Sequence, residues 1–491
     1  MRQPVAMRIL LALLLLALPA AAQTLRIGIA SDPDVLDPTL SRSVAARQVF
    51  AAMCDKLLDI DEQGRLVPQL ATAWEWQEEG RALLLTLRPG VQFHDGEPLD
   101  AAAAVAGLQR HLTAPGSTRR GELGPVEMVE AAGPMAVRIR LTEPFAPLLA
   151  ALSDRAGMLV SPRTPPESQP GPACAGPFRL TRRVAQDRIE LERFDGYWDR
   201  AAIHFERVIY RPIPDTTVRA ANLRSGTLEV IERVNTSDID TLRGDRRVRL
   251  LEGPSLASVY IAINMRADTP LGREPRVREA LEAAIDREVL NRVAFEGLYR
   301  PGNQSTPPGH PQHIAGIAVP GRDLGRARAL LGGQRVTVRF SVPNTTEYVQ
   351  AAEVIQAMAA EAGIDLRIQV IEVATLLRQW AAHEFEALII AWSGRTDIDG
   401  NLWGFNACDE PLNGGRYCSA EADAALRQGR QATEAEARLA AYGRAMAVLL
   451  RDRPYIYLWH PQSFFATRAG IDGLRLIPDG LIRIQGLRPR G

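Results

Sequence analysis

Residues 25–30 alternate apolar and polar side chains, the period-two pattern of a half-buried strand, and run into turns at Ser31-Asp32-Pro33 and Asp37-Pro38. Residues 83–87 and 137–141 read as further strands, while 44–58 and the alanine-rich 100–112 carry helical spacing, the latter started by Asp100 as its cap. Three more alternating segments, FRLTRRV, RIELER and FERVIYRPI, fill 178–213 and precede a helix at 216–225. An amphipathic helix is predicted over 274–297, with Pro275 in its first turn and Gly297 as its stop. It follows a strand at 259–264, VYIAIN, placed to cross between domains; Asn264 at its end reads as structural.

The clearest organisation lies between Arg335 and Trp392. Strand RVTVRFSV, a helix at 345–362, strand IDLRIQVIEV, a helix at 375–382 and strand FEALIIAW alternate as in a parallel sheet with right-handed crossovers. Ligands of such sheets bind beyond the carboxyl ends of the strands. Here that rim carries Val342-Pro343-Asn344-Thr345 and Ser393-Gly394-Arg395. Helices at 420–431 and 433–451 then precede a strand at 455–459 and a final segment at 464–468. Residues 161–177 hold six prolines without apolar periodicity and read as an irregular connection tied down by Cys174.

The first 22 residues add an address. Arg2 and Arg8 precede an apolar run over 9–18, and Ala20-Ala21-Ala22 offers a small-residue cleavage site, so a cleaved secretory signal is expected, with the mature chain starting near Gln23. A membrane anchor is the competing reading, but a span needs about 20 apolar residues. No cysteine stands at the cleavage site to take a lipid. The remaining chain, about 470 of 491 residues, exceeds what a single core sustains, so at least two domains are expected. Basic and acidic residues balance at 58 each, which removes the electrostatic footprint of a nucleic-acid binder. Lys56 is the one lysine, a bias better explained by a GC-rich genome than by function.

Four cysteines in an exported chain invite pairing. Cys408 and Cys418 bracket the short loop DEPLNGGRY, and if they bond, Cys54 and Cys174 are left to each other. A metal site is the rival, yet no C-x-x-C or Cys/His cluster of ligand spacing is present. His310 and His313 sit in a Pro/Gly loop without a third ligand and read as surface positions. Neither a metal nor a cofactor is expected.

The run at 68–98 carries a family resemblance. Val67-Pro68-x-Leu70-Ala71-x-x-Trp74, an apolar strand, Leu87-Arg88-x-Gly90-Val91-x-Phe93-His94-Asp95-Gly96 and Pro98 resemble the peptide/nickel family (family 5) of extracellular solute-binding proteins of ABC importers. Further matching pieces follow in order: 25–29 with Leu36-Asp37-Pro38, Gly176-Pro177-Phe178 leading to RFDGYWD, 220–226, 260–264, Val277-Arg278-Glu279-Ala280, Ala284-Ile285-Asp286-Arg287, 327–331 and Pro454-Tyr455-Ile456. The resemblance implies an α/β, two-lobed periplasmic binding protein of the large, class C type, with a hinge between lobes and an extra subdomain in the N-terminal lobe. Lobe I would hold 23–260 plus 466–491, with the inserted subdomain at about 55–170, and lobe II 261–465. The partners implied are a peptide or other medium-sized solute, membrane permease subunits and cytoplasmic ATPases; the protein itself would be a periplasmic monomer.

Two positions depart from the family pattern. Members similar to dipeptide carriers place an acid for the peptide amino terminus three residues after the tryptophan that ends the third strand; here Trp392-Ser393-Gly394-Arg395 inverts the charge. They place an arginine for the carboxylate near the end of the first strand, where this chain reads Ser341-Val342-Pro343-Asn344. An arginine at the rim suits a ligand carboxylate, phosphate or sulfonate, or else pairs with Asp397 or Asp399 to order the loop. Candidate ligand residues are therefore Asn344, Trp392, Arg395 and Asp397. Asn401, Trp403 and Tyr417 join them, read as lying in the loop that the Cys408 to Cys418 bridge would close, and Ser41, Arg42 and Ser43 come from the opposite lobe. An exported hydrolase is the alternative, but no G-x-S-x-G, S-x-x-K or H-E-x-x-H motif appears. A ligand sensor or chaperone-like receptor would use the same closed surface.

Overall fold

The computed structural model describes residues 23–164 and 171–490; the predicted secretory signal lies outside them. Among the described residues the strands form two large sheets, a four-stranded one and two two-stranded pairs. A seven-stranded sheet runs in the order Val248–Gly253, Ser463–Arg468, Val230–Ile231, Thr24–Ile29, Arg207–Pro212, Arg188–Arg193, Phe178–Val184. A six-stranded sheet runs Arg300–Pro301, Tyr455–His460, Ser258–Ile263, Ala387–Trp392, Val336–Pro343, Ile364–Ile371. A four-stranded antiparallel sheet, Ala71–Gln77, Ala82–Leu87, Ala136–Leu141, Val126–Gly133, packs with helix Ala101–Thr113 around its own core.

Strands Val336–Pro343, Ile364–Ile371 and Ala387–Trp392 are parallel, as their alternation with helices requires. Ser258–Ile263 adds to Ala387–Trp392 antiparallel. All six of its residues are buried, because the sheet is covered on both faces: Val259, Ile261 and Ile263 enter one core, Tyr260 and Ala262 the other. The chain passes from the seven-stranded sheet to this one through 254–257 and returns through 461–462.

Two helices are shorter than their apolar patterns suggest. The helix expected over 44–58 ends at Met53, with Cys54 in extended conformation; the Met53 carbonyl accepts the Gly176 N–H at 2.9 Å, and Leu58–Ile60 is already a strand. Gly176 is required there, since a Cβ would lie 2.3 Å from the Met53 carbonyl carbon. The 274–297 pattern splits into Pro275–Ala284 and Arg287–Phe295, because the Asp286 carboxylate accepts the Val289 N–H at 2.9 Å and starts a second helix. Helices Thr216–Ser225 and Ala420–Gln431 fall where expected.

The cysteines pair as Cys54–Cys174 and Cys408–Cys418. The first joins positions 120 residues apart and staples the helix end to the strand that begins at Phe178. A Cys54→Ala/Cys174→Ala protein is expected to lose about 3–5 kcal/mol of stability, read as a lower midpoint in urea unfolding followed by tryptophan fluorescence.

Candidate functional site

Strand Ala387–Trp392 ends at the cleft between the two large sheets, and the turn after it is held from below. Asn401, on helix Asp399–Asn406, accepts the Trp392 indole N–H and the Arg395 backbone N–H, both at 2.8 Å, and donates to the Arg395 carbonyl at 3.2 Å. Gly394 has φ +77°, and a Cβ there would meet the Leu256 carbonyl oxygen at 2.1 Å, so only glycine lets the turn lie against the crossing segment. The Arg395 guanidinium stacks 4.0 Å above the Trp392 ring.

Arg395 then reaches across the cleft. Its Nε lies 2.7 Å from Asp154 of the opposite side, whose carboxylate also takes two bonds from Arg47, at 3.1 and 2.8 Å. Arg47 donates in turn to the Ser393 hydroxyl at 2.7 Å, so the bridge closes in both directions. Burial acts to raise the Asp154 pKa, but the guanidinia of Arg395 and Arg47 outweigh it and hold the carboxyl well below the usual carboxylate range. A second contact between the two sides lies further out: Ala146 N–H donates to the Arg430 carbonyl at 3.2 Å, and Arg430 donates to the Gly121 carbonyl at 3.2 Å.

Three cavities open around this bridge. The outer one, about 650 Å³, is lined by Glu122, Asp154, Asp397, Asp399 and Glu410, with Arg395 and Trp403. The inner one, about 710 Å³, is lined by Arg42, Ser43, Arg233, Tyr348, Leu376, Trp392 and Ser393. The third, about 640 Å³, shares Arg233, Tyr348 and Ser393 with it and continues past Glu347 to Pro461, Gln462 and Ser463.

The predicted residues divide. Arg42, Ser43, Trp392, Arg395, Asp397 and Trp403 line cavities. Ser41 and Ser43 give their hydroxyls to Asp34, at 2.8 and 2.6 Å, and the Arg42 backbone N–H gives it a third bond at 2.7 Å, leaving the Arg42 side chain to face the cleft. Burial works against Asp34, yet these donors keep its pKa low. Asn344 is exposed, while its neighbours Pro343 and Thr345 line the inner cavity. Tyr417 packs in a core and donates to Asp452 at 2.7 Å.

Some expectations are corrected. Arg395 does not pair with Asp397 or Asp399: Arg438 binds Asp397 through two bonds of 2.9 Å, and Asp399 meets Arg430 at 3.2 Å and the Tyr442 hydroxyl at 3.0 Å. Asn401 and Trp403 lie on a helix before the bridged loop, which contains only Tyr417 of the three. His310 is buried, its Nε2 lying 3.1 Å from the Arg395 carbonyl. Arg47, Asp154 and Arg233 escaped sequence reasoning, because the groups they meet across the cleft lie a hundred or more residues away along the chain. Glu347 and Tyr348 were within reach of the strand-end rule, lying just after Val336–Pro343.

Two sheet-based lobes, joined by two crossings and facing one another across a lined cleft, define a solute-binding protein. Residues 65–412 match the profile of the bacterial extracellular solute-binding proteins, family 5 (middle region). The chain belongs to that family. It is 28% identical to the probable di/tripeptide-binding protein 5 of Pseudomonas aeruginosa, over 97% of both chains. Its fold is that of the dipeptide binding protein of Pseudoalteromonas sp. SM9913, solved with Met-Leu (TM-score 0.88, 19% identity, 95% of this chain and 100% of that one). It is also that of AgaA from A. tumefaciens, solved with agropinic acid (TM-score 0.86, 22% identity, 95% and 99%).

Replacing Asp154 by Asn strands two buried guanidinia, a loss of about 3–5 kcal/mol if the cleft stays shut. Opening hydrates them, so the Asp154→Asn protein is expected to be more open, with a larger radius of gyration by small-angle X-ray scattering. Because the Asp154 pKa is depressed, the bridge is fully present above the ordinary carboxyl pKa of about 3.9 and is lost only as pH falls below it, so wild-type closure should be unchanged from pH 8 to pH 5.

Proposed function

We propose that this protein captures a peptide-like or other medium-sized organic solute between its lobes in the periplasm and hands it to the permease of an ATP-driven importer. The observation that carries the reading is the Arg47–Asp154–Arg395 bridge: a buried ion triad spanning a cleft whose walls also line open pockets beside it. The segments 254–257 and 461–462 serve as the hinge, since they are the two links between the large sheets, and residues near both, Ser255, Ala257, Pro461 and Gln462, line the third cavity. Binding here is work done by differential affinity: a ligand that touches both lobes stabilises the closed form, which the permease then recognises.

Relatives named or solved with di/tripeptides, Met-Leu and agropinic acid support a solute that is peptide-like without having to be a peptide. No bond need be broken for this function, and the buried acids of the cleft are held by arginines as structural partners: Asp154 by Arg47, Asp397 by Arg438.

Protein purified without denaturation should release a bound small molecule in native mass spectrometry. Returned at 100 times its dissociation constant, that molecule should stabilise the fold by about 2.7 kcal/mol in thermal unfolding. A protein that carries no ligand, gains no stability from any peptide or organic acid, and whose deletion leaves solute uptake intact would end the transport reading.

A further inference from the structure

The three cavities differ in charge. Around the outer one, Arg395 is matched by five carboxylates, from Glu122, Asp154, Asp397, Asp399 and Glu410. The inner cavity is lined by two arginines, Arg42 and Arg233, and by no carboxylate among the described residues. Neither of these guanidinia has a carboxylate oxygen within 4.0 Å in the described residues, although both are partly buried.

The acids nearest to them are already committed. Asp34, beside Arg42, accepts from Ser41, Ser43 and the Arg42 backbone, and the Arg42 Nε is buried without a hydrogen-bond partner. Glu232, beside Arg233, accepts from the Ala30 N–H at 2.9 Å and from the Gln48 amide at 2.6 Å. Glu347 lines the adjoining cavity together with Arg233; burial works against the Arg233 charge, and Glu232, Tyr348 and Glu347 act to keep it, though no carboxylate among the described residues comes into ion-pair contact. A guanidinium taken partly out of water without its full set of hydrogen bonds is costly, so Arg42, with its unbonded Nε, and Arg233, with no carboxylate in ion-pair contact, suit an anion that arrives with the ligand.

The backbone adds a second observation. Arg233 follows strand Val230–Ile231 with φ +49°, an uncommon conformation for a residue with a side chain, and its carbonyl is fixed by a 2.9 Å bond from Arg219. Strain of this kind costs of order 1–3 kcal/mol and is kept where the surroundings dictate the direction of a side chain. The rest of the inner cavity combines an apolar wall, Val373, Leu376, Leu377 and Ile390, with the hydroxyl-bearing Ser31, Ser43, Thr345, Tyr348 and Ser393.

We propose that Arg42 and Arg233 together form an anion subsite for an organic carboxylate whose apolar body packs on Leu376, Ile390 and Trp392, and that Arg395 is a closure element bound to Asp154. This rests on the solute-binding reading and names its ligand class. One face of the subsite comes from the turn preceding helix Val44–Met53 and the other from the loop after Val230–Ile231, so the anion is received by one lobe before the opposite lobe closes over it.

Three probes separate the charges: the dipeptide Ala-Leu, its N-acetyl derivative, which keeps only the carboxylate, and its C-terminal amide, which keeps only the ammonium. Titration calorimetry on the intact mature protein is expected to show the first two binding and the amide at least tenfold weaker. Arg42→Gln and Arg233→Gln should each weaken the carboxylate probes at least tenfold, with Arg42→Lys intermediate, and leave the unliganded melting temperature within a few degrees. Equal binding of the amide, or unchanged affinity in both Gln variants, overturns the subsite while leaving solute capture standing. Failure of both carboxylate probes to bind at millimolar concentration also overturns it, and the native mass spectrum then tests solute capture separately. Should a Gln variant lose its melting transition, the comparison of the three probes on the wild-type protein decides.

Discussion

Asp154 is one carboxylate shared by two arginines from opposite sides of the cleft, and the closed arrangement depends on it. Removing three such charges from water costs several kcal/mol each, so the contact is tolerable only when every partner is in place. That makes it a contact of closure: when the lobes part, each group recovers its hydration, and when they meet, the mutual attraction is regained in a low-dielectric setting. A ligand that touches both sides would add to this contact and favour the closed form.

The rest of the cleft is organised so that the bridge is positioned without being crowded. Asn401 braces the turn that presents Arg395, and Gly394 lets that turn press against the crossing segment at Leu256. Asp34 gathers Ser41, Arg42 and Ser43, which also caps the helix carrying Arg47. The same short turn therefore aims Arg42 at the inner cavity and starts the helix that brings Arg47 to Asp154. Anion reception and closure are set side by side on one element.

The run that identifies the family, 68–98, forms two strands of the small sheet and its core, Leu70, Leu83, Leu85, Leu87 and Phe93. None of its residues lines the three cavities around the bridge. It is legible because a strand pair and its turns are local, and their chemistry must recur within thirty residues. Arg395 was legible as an inverted charge, but its partner was not: the carboxylates two and four residues away in sequence are the natural candidates, and both are bound by arginines from the helices that follow.

By itself the sequence determined most of the elements, the parallel order of the strands at 336–392, the short Cys408–Cys418 loop and the family, all of which rest on periodicity or on neighbours close along the chain; Cys54–Cys174, 120 residues apart, followed only as the remaining pair. Only the tertiary structure decided which charges meet. Asp154 finds Arg47 over 107 residues and Arg395 over more than 200, while Arg42 and Arg233 come to one cavity from different strands' ends. A charge has no period and acts through space, so its partner is chosen by how the lobes close and by which other acids have already been satisfied.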